Sequence, residues 1–163
     1  MANTVRAKSW YRKAWPSYCS GGGAPALKHP IVASAQTIYK GDFVQLDATG
    51  KAVLAVVGVA YLYGLALEDG VVGSQLAVAA GDEDTVFIIQ GKDGVASSTG
   101  IAGATGDLYI SGSGVSRKPQ IQTLLPLDNI FLIVGQVPDD DPADTTNPGR
   151  LFVRILKSQY TGA

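Results

Sequence analysis

The chain has 163 residues, 20 of them glycine, with a net charge of −1 and only 17% charged side chains. That length suits one domain plus an appendage and buries roughly two thirds of the unfolded surface. A single cysteine, Cys19, excludes an intrachain disulfide, and no run approaches the ~18 apolar residues of a membrane span.

The opening stretch, MANTVRAKSWYRKAW, lacks the apolar core of a secretory signal, so synthesis in the cytoplasm is expected. Charge is segregated along the chain. No acid precedes Asp42, whereas Arg6, Lys8, Arg12, Lys13, Lys28 and Lys40 do. The other seven basic residues (13 − 6) face all 14 acids, which leaves the body near −7. A basic arm on an acidic body reads as an interaction tail, with an arm folded back on its own body as the competing reading.

Residues 1–30 form that arm. Thr4 to Trp15 predicts a short helix capped by Thr4 and stopped by Pro16, marginal unless it packs against something. Ser20-Gly21-Gly22-Gly23-Ala24-Pro25 reads as a hinge closed by His29-Pro30. The β domain then spans 31–163, with a first repeat over about 31–92 and a second over about 93–157. Strands are expected at Gln36–Tyr39, Phe43–Leu46, Ala52–Val57 and Tyr61–Leu67, with a hairpin turn at Thr49-Gly50-Lys51. Val71–Ala80 fits either a strand or a helical turn, and Thr85–Gln90 is the clearest strand of the first half. Leu108–Ser111, Gly114–Arg117, Ile130–Val137 and Leu151–Lys157 follow in the second, separated by loops over 92–106 and 139–149. About ten short strands with such turn signals predict a mainly β chain, a compact barrel or sandwich with an extended N-terminal arm.

The body says much the same thing twice. Gly41-Asp42-Phe43-Val44-Gln45-Leu46 is echoed 65 residues later by Gly106-Asp107-Leu108-Tyr109-Ile110-Ser111. Gly64-Leu65-Ala66-Leu67-Glu68-Asp69 returns as Gly135-Gln136-Val137-Pro138-Asp139-Asp140, and Val86–Ile89 as Leu151–Arg154. Two pseudo-repeated β units are therefore expected. In the Gly-Asp pair, glycine suits a turn at positive φ and aspartate accepts a backbone hydrogen bond at the turn's edge.

The run Gly41–Val53 followed by Gly64-Leu65-Ala66-Leu67-Glu68-Asp69 resembles the capsid decoration, or cement, proteins of tailed bacteriophages. In that family a pattern like I-x-x-G-D-x-V-x-L followed by G-x-A-L-E recurs, often twice, in a compact β domain. The likeness covers residues 31–157 and leaves out the arm, and the second copy departs from the pattern at Pro138, where the first has Leu67. What the resemblance implies is a structural virion protein on the outer capsid surface that bridges neighbouring major capsid protein subunits. It also implies a homo-oligomer, a trimer with a dimer as the alternative. Binding the expanded shell stabilises that state by mass action, and many copies on one lattice add avidity.

The arm supplies the candidate partner-binding residues Arg6, Trp10, Tyr11, Arg12, Lys13, Trp15 and Tyr18, since Trp, Tyr and Arg are the usual interface hot spots. Packing against the body, nucleic-acid contact and membrane-surface contact compete with that reading. An acidic body argues against nucleic acid, and no membrane partner is expected.

No catalytic, cofactor or metal site is expected. His29 is the sole histidine, no serine lies in a G-x-S-x-G setting, and Gly21–Lys28 lacks the phosphate-loop order. Cys19 and His29 cannot supply the four ligands of a zinc site. Asp139-Asp140-Asp141 with Asp144 reads as a solvated acidic turn sooner than a calcium loop. The alternative from another class is a carbohydrate-binding β module on a virion, for which Tyr61, Tyr63 and Tyr109 are the candidate platform.

Overall fold

The short apolar runs bounded by glycine do form strands. The computed structural model of the protein describes residues 14–19, 23–92, 102–123, 128–137 and 149–159. The strands are β1 (Trp15–Cys19), β2 (Leu27–Lys28), β3 (Phe43–Leu46), β4 (Ala52–Leu54), β5 (Gly64–Ala66) and β6 (Val78–Ala80), then β7 (Thr85–Gly91), β8 (Thr105–Ser111), β9 (Lys118–Gln122), β10 (Phe131–Gln136) and β11 (Arg150–Ile155). One 3-10 turn, Gly114–Ser116, precedes β9. The chain is mainly β, as its patterning requires.

Two sheets result. In the larger, β7-β11-β10-β8-β9 returns to β7 and closes a five-stranded barrel, with β1 added on β7. The smaller has the order β2-β6-β5-β3-β4. Its open side is spanned by Ile31–Ala33, which bridge Gln75 on one side and Ala52 on the other.

The two sheets follow one plan. Val32 pairs in parallel with Ala52, and Ala33 N donates to Ala52 O. Gly91 pairs in parallel with Ile121, and Lys92 N donates to Ile121 O. From these closing pairs, the same walk leads round each ring. Ala52 meets Leu46 as Ile121 meets Leu108. Val44 meets Gly64 as Gly106 meets Phe131. Gly64 meets Ala80 as Phe131 meets Ile155. Val78 meets Lys28 as Val153 meets Phe87, and four residues on from Lys28 and Phe87 lie Val32 and Gly91 again. Both walks close without remainder, so the units are two copies of one strand plan.

That correspondence differs from the one the sequence suggests. Gly106 occupies the place of Val44, three residues from the Gly41 it echoes. The segments Val86–Ile89 and Leu151–Arg154 are not equivalents but neighbours in one barrel, with Leu151 opposite Ile89 and Val153 opposite Phe87. Gly41 has φ +86, as a turn glycine should. Gly106 is glycine for another reason: a Cβ there would meet Ile121 Cγ1 at 2.6 Å and Gln122 O at 2.8 Å. Asp42 plays the expected local part, whereas Asp107 lies within β8 and accepts from a residue distant in sequence. Asp42 Oδ2 accepts Tyr39 N at 2.8 Å, and Asp107 Oδ1 accepts Asp128 N at 3.1 Å.

Several expected elements change. Gln36–Tyr39 is irregular, because Ala35 takes φ +58 and Asp42 caps Tyr39 N. Strand β4 stops at Leu54, where Val59 N bonds back to Val56 O and Gly58 turns at φ +82. Gly114–Arg117 is a tight turn after Gly112 at φ +73, and the strand follows it as β9. Within Val71–Ala80 the chain makes a turn and then β6. Trp15, placed at the end of an expected helix, lies in β1 and Ala14 is not helical, while residues 4–13 of that expected helix lie outside the described residues.

Alternation along β3 sends its side chains to two cores. Val44 joins Val32, Ile38, Ala52, Ala66, Leu76 and Val78 inside the first unit. Phe43 points the other way, into a larger core with Leu108, Ile121, Ile133, Leu151 and Val153 of the barrel. There its ring meets Phe87 edge-on at 5.7 Å and Phe131 at 5.3 Å. The tail returns as well. Gln159 Nε2 donates to Leu46 O and its Oε1 accepts Leu46 N, as a neighbouring peptide would.

Because Phe43 belongs to the first unit and its aromatic partners to the second, the units share one core. Phe43→Ala is expected to cost about 3–5 kcal/mol. Urea unfolding followed by tryptophan fluorescence and by far-UV circular dichroism should show a single, coincident transition at lower midpoint. Separate transitions for the two units would contradict the shared core.

Candidate partner-binding site

The arm enters the body through β1. Trp15 pairs with Ile88, Pro16 with Phe87, Tyr18 with Val86 and Cys19 with Thr85, with a register break between Pro16 and Tyr18. Proline is tolerated because β1 is an edge strand and the break re-aims the chain. Just before it, Ala14 is 3% exposed in the large core. The backbone of Trp15 and Tyr18 is thus fixed to its own molecule. Arg6, Trp10, Tyr11, Arg12 and Lys13 lie outside the described residues, so the seven arm candidates are divided between a paired strand and the segment that leads into it.

The two parts of the repeated pattern meet at one corner. Gly41 N donates to Ala66 O and Ala66 N to Asp42 O, which joins the Gly-Asp turn to the Gly-Leu-Ala strand. Lys40 N donates to Asp69 Oδ1 and Ala77 N to Glu68 Oε1, both at 2.8 Å. Every polar residue of Gly64–Asp69 is used in holding backbone.

An ion pair locks this corner to the second unit. Arg117, in the β8–β9 turn, places Nη2 2.7 Å from Asp42 Oδ2 and 2.8 Å from Thr37 O. Its guanidinium lies 5.5 Å from the centroid of Tyr39. Asp42 is 1% exposed and the Arg117 side chain 12%. Asp42 Oδ1 and Arg117 Nε have no partner, so the pair carries part of its desolvation cost uncompensated. Nothing in the sequence links positions 42 and 117, and only the fold brings them together.

The other candidates are dispersed. Tyr61 is exposed, Tyr63 packs on the small core, and Tyr109 lies beneath Lys92 Nζ at 3.8 Å from its ring centroid. Tyr63 and Tyr109 are therefore engaged within the protein and do not join Tyr61 in an open platform. His29 is exposed beside β2. No group of three His, Cys, Asp or Glu side chains converges on a metal position among the described residues, and Asp139–Asp141 and Asp144 lie outside them. No described helix is long and apolar enough to cross a membrane. Exposed apolar side chains include Leu27, Ile31, Val71 and Val72. Val71 and Val72 are held near Ile31 by Val32 N to Ser74 O and Gly73 N to Val32 O.

No protein-family model, curated protein or solved structure matches the chain.

Truncating Arg117 leaves Asp42 buried without its cation. Arg117→Ala is expected to cost about 3 kcal/mol, and Arg117→Met with Asp42→Asn to cost less than the single change. Denaturant unfolding of both variants measures the difference. A second expectation concerns the β3–β4 turn, where the Thr49 hydroxyl and then Lys51 N donate to Asp47 and hold its carboxyl below the usual range. The turn is therefore favoured above the ordinary aspartate pKa, and that support fades as pH falls through the lower folded value. In a carboxyl NMR titration, Thr49→Ala should raise the Asp47 midpoint.

Proposed function

We propose that this chain is a non-enzymatic structural protein of a tailed-phage virion, a capsid decoration protein on the outer shell. Its body would sit across major capsid protein subunits as a stiff clamp, and its arm would carry the adhesive aromatics. The observation that supports this best is the corner where Gly41-Asp42 and Gly64-Leu65-Ala66 hydrogen-bond to each other. The two halves of the sequence pattern that resembles the decoration proteins form one structural element, used in each half of that pattern for backbone geometry.

Mechanically the design suits the task. A barrel and a second sheet fused through a common core resist shear better than two domains on a linker, because separating them would expose Phe43, Phe87 and Phe131. A clamp that binds only the assembled, expanded shell stabilises it by mass action, and repetition over the lattice multiplies weak contacts. A homotrimer, or a dimer, would match the local symmetry of such a shell.

Cosedimentation with purified expanded and unexpanded capsids tests the proposal. Removal of residues 1–13 retains β1 and isolates the arm's role, whereas removal of 1–18 would also uncover β7. The expected result is pelleting of the full chain with expanded capsids and at least partial release of the 1–13 deletion. A full chain left in the supernatant with every capsid form would refute the proposal.

A further inference from the structure

The closing pair uses only one end of the first strand in each unit, and this has different consequences in the two copies. In the barrel, β9 covers Gln90 and Gly91 of β7, and β1 covers the rest of that edge from Thr85 to Ile88. In the first unit, Ala52 covers the chain at Ile31–Ala33. By the correspondence of Val32 with Gly91, the stretch equivalent to Thr85–Ile88 is Ala26–His29. No described strand lies there, and β2 is the outermost strand of its sheet.

The hydrogen bonds show which groups point outward. Ala26 O accepts Ala80 N, Pro30 O accepts Leu76 N, and Lys28 pairs with Val78, so the even-numbered residues face β6. Leu27 and His29 therefore turn their N–H and C=O groups away from the sheet. They have no backbone partner among the described residues. Both side chains are exposed, with Leu27 56% accessible, and the apolar group of Ile31, Val71 and Val72 lies alongside. An open edge beside apolar side chains is the usual acceptor for an added strand.

We infer that the Ala26–His29 edge accepts a β-strand from residues 1–13 of a second copy of this chain. Three observations select that occupant. The equivalent edge in the barrel is filled by this chain's own arm, as β1. The thirteen residues preceding Ala14 reach up to about 45 Å when extended, and they include the strand-forming pair Trp10-Tyr11. They also carry Arg6, Lys8, Arg12 and Lys13 with no acid, and the acidic run Asp82-Glu83-Asp84 follows β6, the strand beside the acceptor. Donor and acceptor occupy different parts of the surface, so the contact is head-to-tail and closes into a ring when the rotation allows. The inference deepens the proposed role of the arm by naming its receptor.

The test uses purified protein and no capsids, so its failure is distinguishable from failure of the virion role. Light scattering after size exclusion should show the full chain as an oligomer and the 1–13 deletion as a monomer. A synthetic peptide of residues 1–13 should bind that monomer, and Leu27→Pro or His29→Pro should each weaken it about tenfold by deleting one outward N–H. Hydrogen exchange at Leu27 and His29 should be slow in the full chain and fast in the deletion, a readout that needs no proline variant to fold. An oligomer that survives the deletion would overturn the inference. So would a full chain that stays monomeric at every concentration, whether its Leu27 and His29 amides are fast or protected, since protection there would mean its own arm covers the edge.

Discussion

Backbone groups in a sheet must find partners, and this constraint governs the whole molecule. Each unit satisfies most of its edges by curling until its first strand meets its third in a short parallel pairing, Val32 with Ala52 and Gly91 with Ile121. Parallel closure is brief because the first strand is already committed along its other side to the last. What remains is half of one strand edge per unit. In the barrel, that half-edge draws in the arm and so fixes where residues 14–19 lie. The position of the arm, the exposed edge of β2 and the route by which copies would join all descend from that one incomplete closure.

Closure alone would give a small barrel and a small curled sheet, neither able to bury much. The first unit's interior is built from small and medium side chains such as Ala52, Ala66 and Val78. Its other face supplies Phe43, Leu62, Leu65 and Ala79 to the barrel's core, and this merger gives the larger of the two apolar clusters among the described residues. The Asp42–Arg117 pair sits at the join. Being buried and incompletely satisfied, it adds orientation more than net stability. A hydrophobic core tolerates sliding, and a monodentate ion pair with a defined acceptor set does not. The combination yields a body whose halves hold one arrangement.

Much of the fold was legible because glycine, alternation and turn chemistry are local signals. Phe43–Leu46, Thr85–Gly91 and Arg150–Ile155 lie where apolar runs predict them. Less legible were elements set by tertiary pairing. Leu27-Lys28 sits between a glycine tract and a proline and reads as hinge, yet β6 recruits it. Lys118–Gln122 contains Pro119 and no apolar run, yet it pairs along β8 and closes the barrel. The duplication itself was visible, but at a shifted register. Sequence matching aligns Gly41 with Gly106, whereas the ring walk aligns Val44 with it, because a glycine selected for positive φ and a glycine selected for close approach spell the same letter. Of the candidate site, the arm's composition was plain, and the Asp42–Arg117 pair was invisible, since residues 75 apart meet only through the packing of the units.

Anchoring the arm at β1 changes the energetics of whatever lies before it. A free tail of eighteen residues would pay ordering entropy along its whole length on binding, about 1–2 kcal/mol for each residue fixed. With Ala14 in the core and Trp15–Cys19 already paired, that cost is met during folding for the stem. The stem also fixes the point from which the preceding chain leads away, beside Ile88, so an acceptor for residues 1–13 has to lie within their reach of it.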